Sequence, residues 1–248
     1  MNLENGPKGG ATVLGVALVL CACGPLEPAG TPGALKEGGF VYCEDVTAPC
    51  AGEATIPDGI AVGSRFKIQY SEPDVRLSTP DSTKLEVGAV DNDGSTAFHA
   101  IEAGNASVEA RLTSSDKLLD FVRLDLGDID SLEFRTCPRA FNAITGDVKS
   151  FTRAECGASG SGTTDVDVSL GSGLAPTLCA FALDSQGTEL AGRLTFDWAP
   201  NEGSVAELEM FVADDTRCAT VGGLTQGTAS VTVLAGTTSG VLNFTVGP

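Results

Sequence analysis

Short runs in which every second residue is apolar recur along most of this chain. Phe66-Lys-Ile68-Gln-Tyr70, Val108-Glu-Ala110-Arg-Leu112 and Val122-Arg-Leu124-Asp-Leu126 are early examples. Val166-Asp-Val168-Ser-Leu170, Cys179-Ala-Phe181-Ala-Leu183, Leu194-Thr-Phe196-Asp-Trp198 and Leu242-Asn-Phe244-Thr-Val246 continue the pattern. A two-residue period puts one set of side chains on a core face and the other in water, as a half-buried strand requires. Turn residues separate the runs: Asp93-Gly94, Ser172-Gly173, Gln186-Gly187 and Asn201-Glu202-Gly203. This rhythm predicts an all-β chain of sandwiches rather than βαβ units. No long amphipathic helical window competes. The most helix expected is a short turn within residues 139–155.

Length and charge narrow the classes further. A chain of 248 residues has room for two sandwiches of roughly 100 residues each. The net charge of −18, with no block of Lys or Arg, excludes the electrostatic grip that nucleic acid needs. A hydrophobic content of 42% excludes a disordered chain.

Residues 11–20 form an apolar run, Ala-Thr-Val-Leu-Gly-Val-Ala-Leu-Val-Leu, with Lys8 before it. It is too short to span a bilayer, which takes about 20 residues, and suits the h-region of a signal peptide. Leu20-Cys21-Ala22-Cys23 follows. This Leu-x-Ala-Cys sequence resembles the lipobox of bacterial lipoproteins. The resemblance implies that residues 1–22 are removed and that Cys23 becomes the acylated mature N-terminus, palmitate being one such acyl group. Cys21 is a rival acceptor, but Leu20 before it is large for the small position. Residues 23–37 are then the lipidated cysteine and a flexible tether rich in Gly, Pro, Ala and Thr. Gly24 stands where an aspartate would signal inner-membrane retention. The outer membrane is therefore favoured in a Gram-negative cell. Two or three acyl chains give a stable anchor.

Two stretches repeat each other. Gly104-Asn-Ala-Ser-Val108 begins one strand pair ending near Leu126, and Gly227-Thr-Ala-Ser-Val231 begins another ending near Val246. They read as the last two strands of two homologous domains, 38–127 and 128–248. The pattern resembles bacterial Ig-like domains of the group 2 type. The second copy carries it best, in Ala182–Gly192, Leu194–Trp198, Ser204–Ala206 and Gly222–Val233. The first copy has Ile60–Gly63, Ser78–Val87 and Ala103-Gly104, without a tryptophan. The resemblance implies two tandem Ig-like β-sandwiches and a role in adhesion, spacing or scaffolding.

With Cys21 and Cys23 set aside, Cys43, Cys50, Cys137, Cys156, Cys179 and Cys218 remain. An even number in an oxidising compartment predicts three disulfides. Of the possible connectivities the sequential one is expected: Cys43–Cys50, Cys137–Cys156 as a staple across an excursion, and Cys179–Cys218. A zinc site is disfavoured, because no tight Cys-x₂₋₄-Cys pair stands in the mature chain and the only histidine is remote.

Candidate catalytic and binding groups are few. His99 is the sole histidine and lies in a strand-like run, with no Gly-x-Ser-x-Gly elbow elsewhere. It reads as a strand residue. Asp91-Asn-Asp93-Gly94 has part of a calcium-loop pattern but Ala100 where the closing glutamate belongs, so it reads as a hairpin turn. Asp125, Asp128 and Asp130 mark the domain junction, where calcium is an alternative to a solvated linker, with Glu133 and Asp165 as further ligands. Trp198, Tyr42 and Tyr70 are the residues that could stack on sugars. Trp198 reads as core, as the Cys179…Trp198…Cys218 order suggests, although Cys218 precedes the strand that usually carries the second cysteine.

The expectation is a lipid-anchored, non-catalytic protein of the cell envelope, with no cofactor or metal. Its partners would be the membrane, through Cys23, and an envelope protein or glycan. The alternative is a carbohydrate- or calcium-dependent surface binding module.

Overall fold

The computed structural model describes residues 39–50, 55–138, 151–156, 165–169, 176–201, 205–213 and 215–248. Cys21, Cys23, the tether and the Ser172-Gly173 turn lie outside the described residues.

The described residues form strands and turns without a helix. The strands are β1 (Phe40–Cys43), β2 (Ile60–Ala61), β3 (Arg65–Tyr70), β4 (Val75–Ser78), β5 (Leu85–Val90), β6 (Thr96–Ala100), β7 (Gly104–Leu112) and β8 (Leu118–Gly127). They continue with β9 (Ser131–Cys137), β10 (Asp165–Ser169), β11 (Thr177–Leu183), β12 (Phe196–Pro200), β13 (Leu208–Val212), β14 (Cys218–Gly223), β15 (Gly227–Ala235) and β16 (Thr238–Gly247).

Four four-stranded sheets result. Their orders are β1-β3-β6-β5, β2-β8-β7-β4, β13-β14-β11-β9 and β10-β16-β15-β12. The two halves share one topology. In each, the first strand and its successor lie in different sheets, and the successor pairs in parallel with the last strand: β2 with β8, and β10 with β16. All other named pairings are antiparallel. With strands lettered in chain order this is an A-B-E-D sheet facing an A′-G-F-C sheet, the immunoglobulin arrangement.

The two-residue period accounts for each core. Phe66 and Ile68 of β3, Phe98 of β6, Val108 of β7, and Leu124 and Leu126 of β8 meet between the first two sheets. The Phe66 ring lies 5.6 Å from Tyr42 and 5.8 Å from Phe98. The second core joins Phe134, Leu178, Val221, Val231, Val233, Leu242 and Phe244. The repeat seen in the sequence is β7–β8 against β15–β16. Gly104 (φ 118°) and Gly227 (φ 140°) open β7 and β15 in a conformation that L side chains avoid.

The alternation at Cys179–Leu183 predicts one wet face, and the structure corrects this. Residues 177–182 of β11 are all buried. Leu178, Ala180 and Ala182 face the sandwich core, while Cys179 and Phe181 join a third cluster with Cys137, Phe151, Cys156, Ala213 and Cys218. This cluster covers the outer face of the β13-β14-β11-β9 sheet. Within the excursion, Glu155 and Cys156 donate backbone bonds to the Thr152 carbonyl, forming a turn. Residues 139–150 lie outside the described residues.

The disulfides join Cys43 to Cys50, Cys137 to Cys156 and Cys179 to Cys218. Cys179 and Cys218 are directly opposite on β11 and β14 of one sheet. The bond therefore does not cross between sheets beside the tryptophan, as it does in antibody domains. Trp198 keeps the strand-C position. It packs on the second core, edge-on to Phe134 at 6.4 Å, and its indole N–H donates to the Thr216 carbonyl at 2.8 Å.

Candidate functional site at the junction of the sandwiches

The richest polar constellation centres on the small loop closed by Cys43–Cys50. Cys43 ends β1 and pairs with Lys67 of β3. Lys67 stands between Phe66 and Ile68, so its side chain leaves the core face, yet only 1% of the residue is exposed. The loop covers it. Its ammonium donates to the Ala48 carbonyl at 2.5 Å and pairs with Asp91 at 3.0 Å. A buried ammonium needs such partners.

The Asp91–Gly94 segment is a hairpin turn. Gly94 N–H donates to the Asp91 carbonyl, and Asp91 N–H to that of Ser95. Its Asp93 side chain reaches the loop. Asp93 Oδ2 accepts the Cys50 N–H at 2.8 Å, and Oδ1 accepts the Ser95 hydroxyl and N–H at 2.5 and 2.9 Å. Hydrogen bonds from Ser95 first, then Cys50, stabilise the carboxylate and hold its pKa at about 2, below the ordinary 3.8. A depressed acid contributes stability above its unfolded value and loses it as pH falls. That stability falls away between pH 3.8 and about 2, and the Cys50 and Ser95 amide resonances of the folded protein are expected to titrate together with a midpoint at about pH 2. In Asp93→Ala that titration should vanish. Amide shifts that persist in the variant would assign the effect elsewhere.

The other side of the loop meets the second sandwich. Arg193 donates to Asp45 Oδ1 at 3.2 Å and to the Thr47 hydroxyl oxygen at 3.3 Å. The Thr47 hydroxyl, with backbone N–H groups and Arg193, holds the Asp45 carboxyl below its ordinary value. Arg217 pairs with Glu44. Burial works against the Arg217 charge, but Glu44 outweighs it and holds the guanidinium above its usual range. Nearby, burial pushes the Glu189 carboxyl up despite Arg217, Arg153 and Arg135.

Backbone bonds run beside these ion pairs. Ala61 N–H donates to Ala191 O at 2.9 Å, and Ala191 N–H to Gly59 O at 2.9 Å. Arg65 and Arg193 exchange N–H···O bonds of 3.0 and 2.7 Å. Gly192 permits this approach: its φ is 104°, and a Cβ there would fall 2.2 Å from Ser64 Oγ. Ala61 belongs to the second core, and Ala191 packs on the first.

A groove of ≈ 380 Å³ lies against the same loop, lined by Val46, Arg65, Glu86, Gly88, Ala89, Ala97, Phe98 and His99. His99 is on β6, with Nδ1 3.4 Å from Glu86. It is a strand residue beside a carboxylate, and the described lining residues include no hydroxyl or thiol nucleophile.

The acidic residues do not converge. Asp125, Asp128 and Asp130 are exposed. Glu133 is buried and neutralised by Arg135 at 2.9 Å and Arg153 at 2.6 Å. Asp165 accepts from Asn243 at 3.1 Å. Among the described residues, the one group of three or more potential metal-ligand side chains is Cys137, Cys156 and Cys179, whose sulfurs are in disulfides. The proposed sugar-stacking residues are packed. Tyr42 is 6% exposed, with burial pushing its hydroxyl up, and Tyr70 lies edge-on to Phe40 at 4.8 Å.

Lys67, Glu44, Arg193 and Arg217 carry no local sign of belonging to one group, because they meet only through folding. Leu178–Leu183 did carry a sign of two-sided burial, since all six residues are apolar.

No protein-family profile matches the sequence, and no curated protein matches it. Solved structures do. Domains 4 and 5 of the S-layer protein SbsC are 13% identical, covering 72% of this chain and 79% of that one, with a TM-score of 0.29. The Escherichia coli adhesin FdeC is 14% identical over 88% of this chain and 67% of its own, with a TM-score of 0.29. InvD of Yersinia pseudotuberculosis is 14% identical over 77% of this chain and 56% of its own, with a TM-score of 0.28. The Ig-like assignment rests on the strand order described above.

Proposed function

We propose that this chain is a lipid-anchored, non-catalytic protein of the cell envelope that serves as a spacer or scaffold. The observation that carries the reading is the junction. Ion pairs, paired backbone and interleaved core residues join the two sandwiches. Such a joint suits a part that holds a binding face at a set distance from its anchor. The Leu20–Cys23 sequence supports the anchor. Acylation of Cys23 confines the sandwiches to a membrane surface and raises their effective concentration against partners there. An envelope protein or a glycan is the partner class. The high negative charge keeps the domains soluble and disfavours anionic surfaces.

Intact mass of protein extracted from membranes tests the anchor. The expected mass is that of a chain beginning at Cys23 plus acyl groups, with six thiols appearing only on reduction. An unacylated mass, or free thiols before reduction, would end the reading.

A further inference from the structure

Four of the six mature-chain cysteines meet on the outer face of the second sandwich. We propose that they form a disulfide relay that accepts a thiolate at Cys137 and delivers one at Cys218. This goes beyond the spacer reading and does not depend on it.

The two disulfides lie against each other. The sulfurs of Cys137, Cys156 and Cys179 are all within 4.8 Å of one another, although Cys137–Cys156 and Cys179–Cys218 are separate bonds. Access is graded. Cys137 is 7% exposed, while Cys156, Cys179 and Cys218 are at 0%. Cys137 is thus the least buried of the four and the one assigned here to meet the incoming thiolate. Exchange proceeds by attack of a thiolate on a disulfide sulfur.

In the first step an external monothiolate bonds to Cys137 Sγ, and the Cys137–Cys156 bond breaks, leaving the electron pair on Cys156. In the second, the Cys156 thiolate bonds to Cys179 Sγ, and the Cys179–Cys218 bond breaks, leaving the pair on Cys218. Each step forms one S–S bond and breaks one, so no further oxidant or reductant is required. The negative charge that entered at Cys137 ends on Cys218.

Arg135 favours this traffic. It is directly opposite Cys179 on the neighbouring strand and two residues before Cys137 on the same face. One of its nitrogens donates to Glu133, while its Nε is buried and without a partner. An adjacent guanidinium favours a thiolate over a thiol. The cluster is otherwise walled by Phe151, Phe181 and Ala213, so a thiolate released inside meets few competing reagents.

The test uses the full chain with glutathione as the monothiol, added until the first mixed disulfide of the cluster is seen. Exchange is then quenched with acid, and free thiols, the buried ones included, are alkylated in denaturant and mapped by peptide mass. The expected product carries glutathione on Cys137, a Cys156–Cys179 bond and the alkyl label on Cys218. A label on Cys156 with Cys179–Cys218 intact would overturn the relay. Cys43–Cys50 is scored separately as a reference, because neither of its cysteines belongs to the cluster. In Cys137→Ser with Cys156→Ser, labelling of Cys218 at the same glutathione concentration should fall at least about tenfold. Unchanged labelling there would also overturn it. Should that pair fail to fold, the wild-type map decides alone.

Discussion

Replacing Cys179 and Cys218 together by alanine is expected to lower the unfolding free energy by about 4 kcal/mol. The loop they close spans 39 residues. Loop-closure entropy removed from the unfolded chain grows with the logarithm of that length. The same relation gives about 3 kcal/mol for Cys137–Cys156, with a separation of 19, and about 2 kcal/mol for Cys43–Cys50, with a separation of 7. All three values lie within the roughly 2–5 kcal/mol usual for loss of a native disulfide, and loop length sets their expected order. Position reinforces it, since Cys179 and Cys218 are fully buried in the third cluster. Urea unfolding of the three double variants, followed by far-ultraviolet circular dichroism, which reads the strands of both sandwiches, would check the ranking. A Cys43→Ala, Cys50→Ala protein less stable than the Cys179→Ala, Cys218→Ala protein would refute it.

Phe66→Ala should cost about 3–5 kcal/mol in the first sandwich. The ring is fully buried and touches the rings of Tyr42 and Phe98. The informative readout lies in the other half. Trp198 is the only tryptophan and belongs to the second sandwich, so its fluorescence reports that half alone. Because Ala61 sits in the second core and Ala191 against the first, unfolding one sandwich strips packing from the other. The Trp198 midpoint is expected to fall with that of the first sandwich, in one transition. A Trp198 midpoint that stays at the wild-type value would mean independent domains, and with that a joint too weak for a spacer.

Much of the fold was legible from residue order because strand formation is local. The alternation at 66–70, 108–112, 122–126 and 242–246 corresponds to β3, β7, β8 and β16, and the Gly-x-Ala-Ser-Val repeat marks the equivalent strands of the two sandwiches. The turn at Asp93-Gly94 follows from the same local chemistry: Gly94 takes φ 81°, and Asp93 bonds two residues ahead. The candidate site was far less legible. His99 and the acidic run at 125–130 stood out as residue types, yet they stay exposed or half-exposed and unassembled. Lys67 looked like an ordinary solvent-facing strand residue and is nearly inaccessible.

The sequence by itself determined where strands such as β3, β7, β8 and β16 form and which of their side chains face a sandwich core. A period of two is set by the pleat of each strand, without reference to distant parts of the chain. Only the tertiary structure decided what covers the outer faces. The Cys43–Cys50 loop buries Lys67 and reaches Arg193 and Arg217, which are more than 140 residues away in the chain. The Phe151–Cys156 segment buries Cys179 and Phe181 on the outer face of their sheet, although alternation set that pair toward the sandwich core, where Ala180 and Ala182 stand instead. The reason is physical: periodicity records the two faces of a strand, but whether the second face meets water depends on which distant segment folds over it.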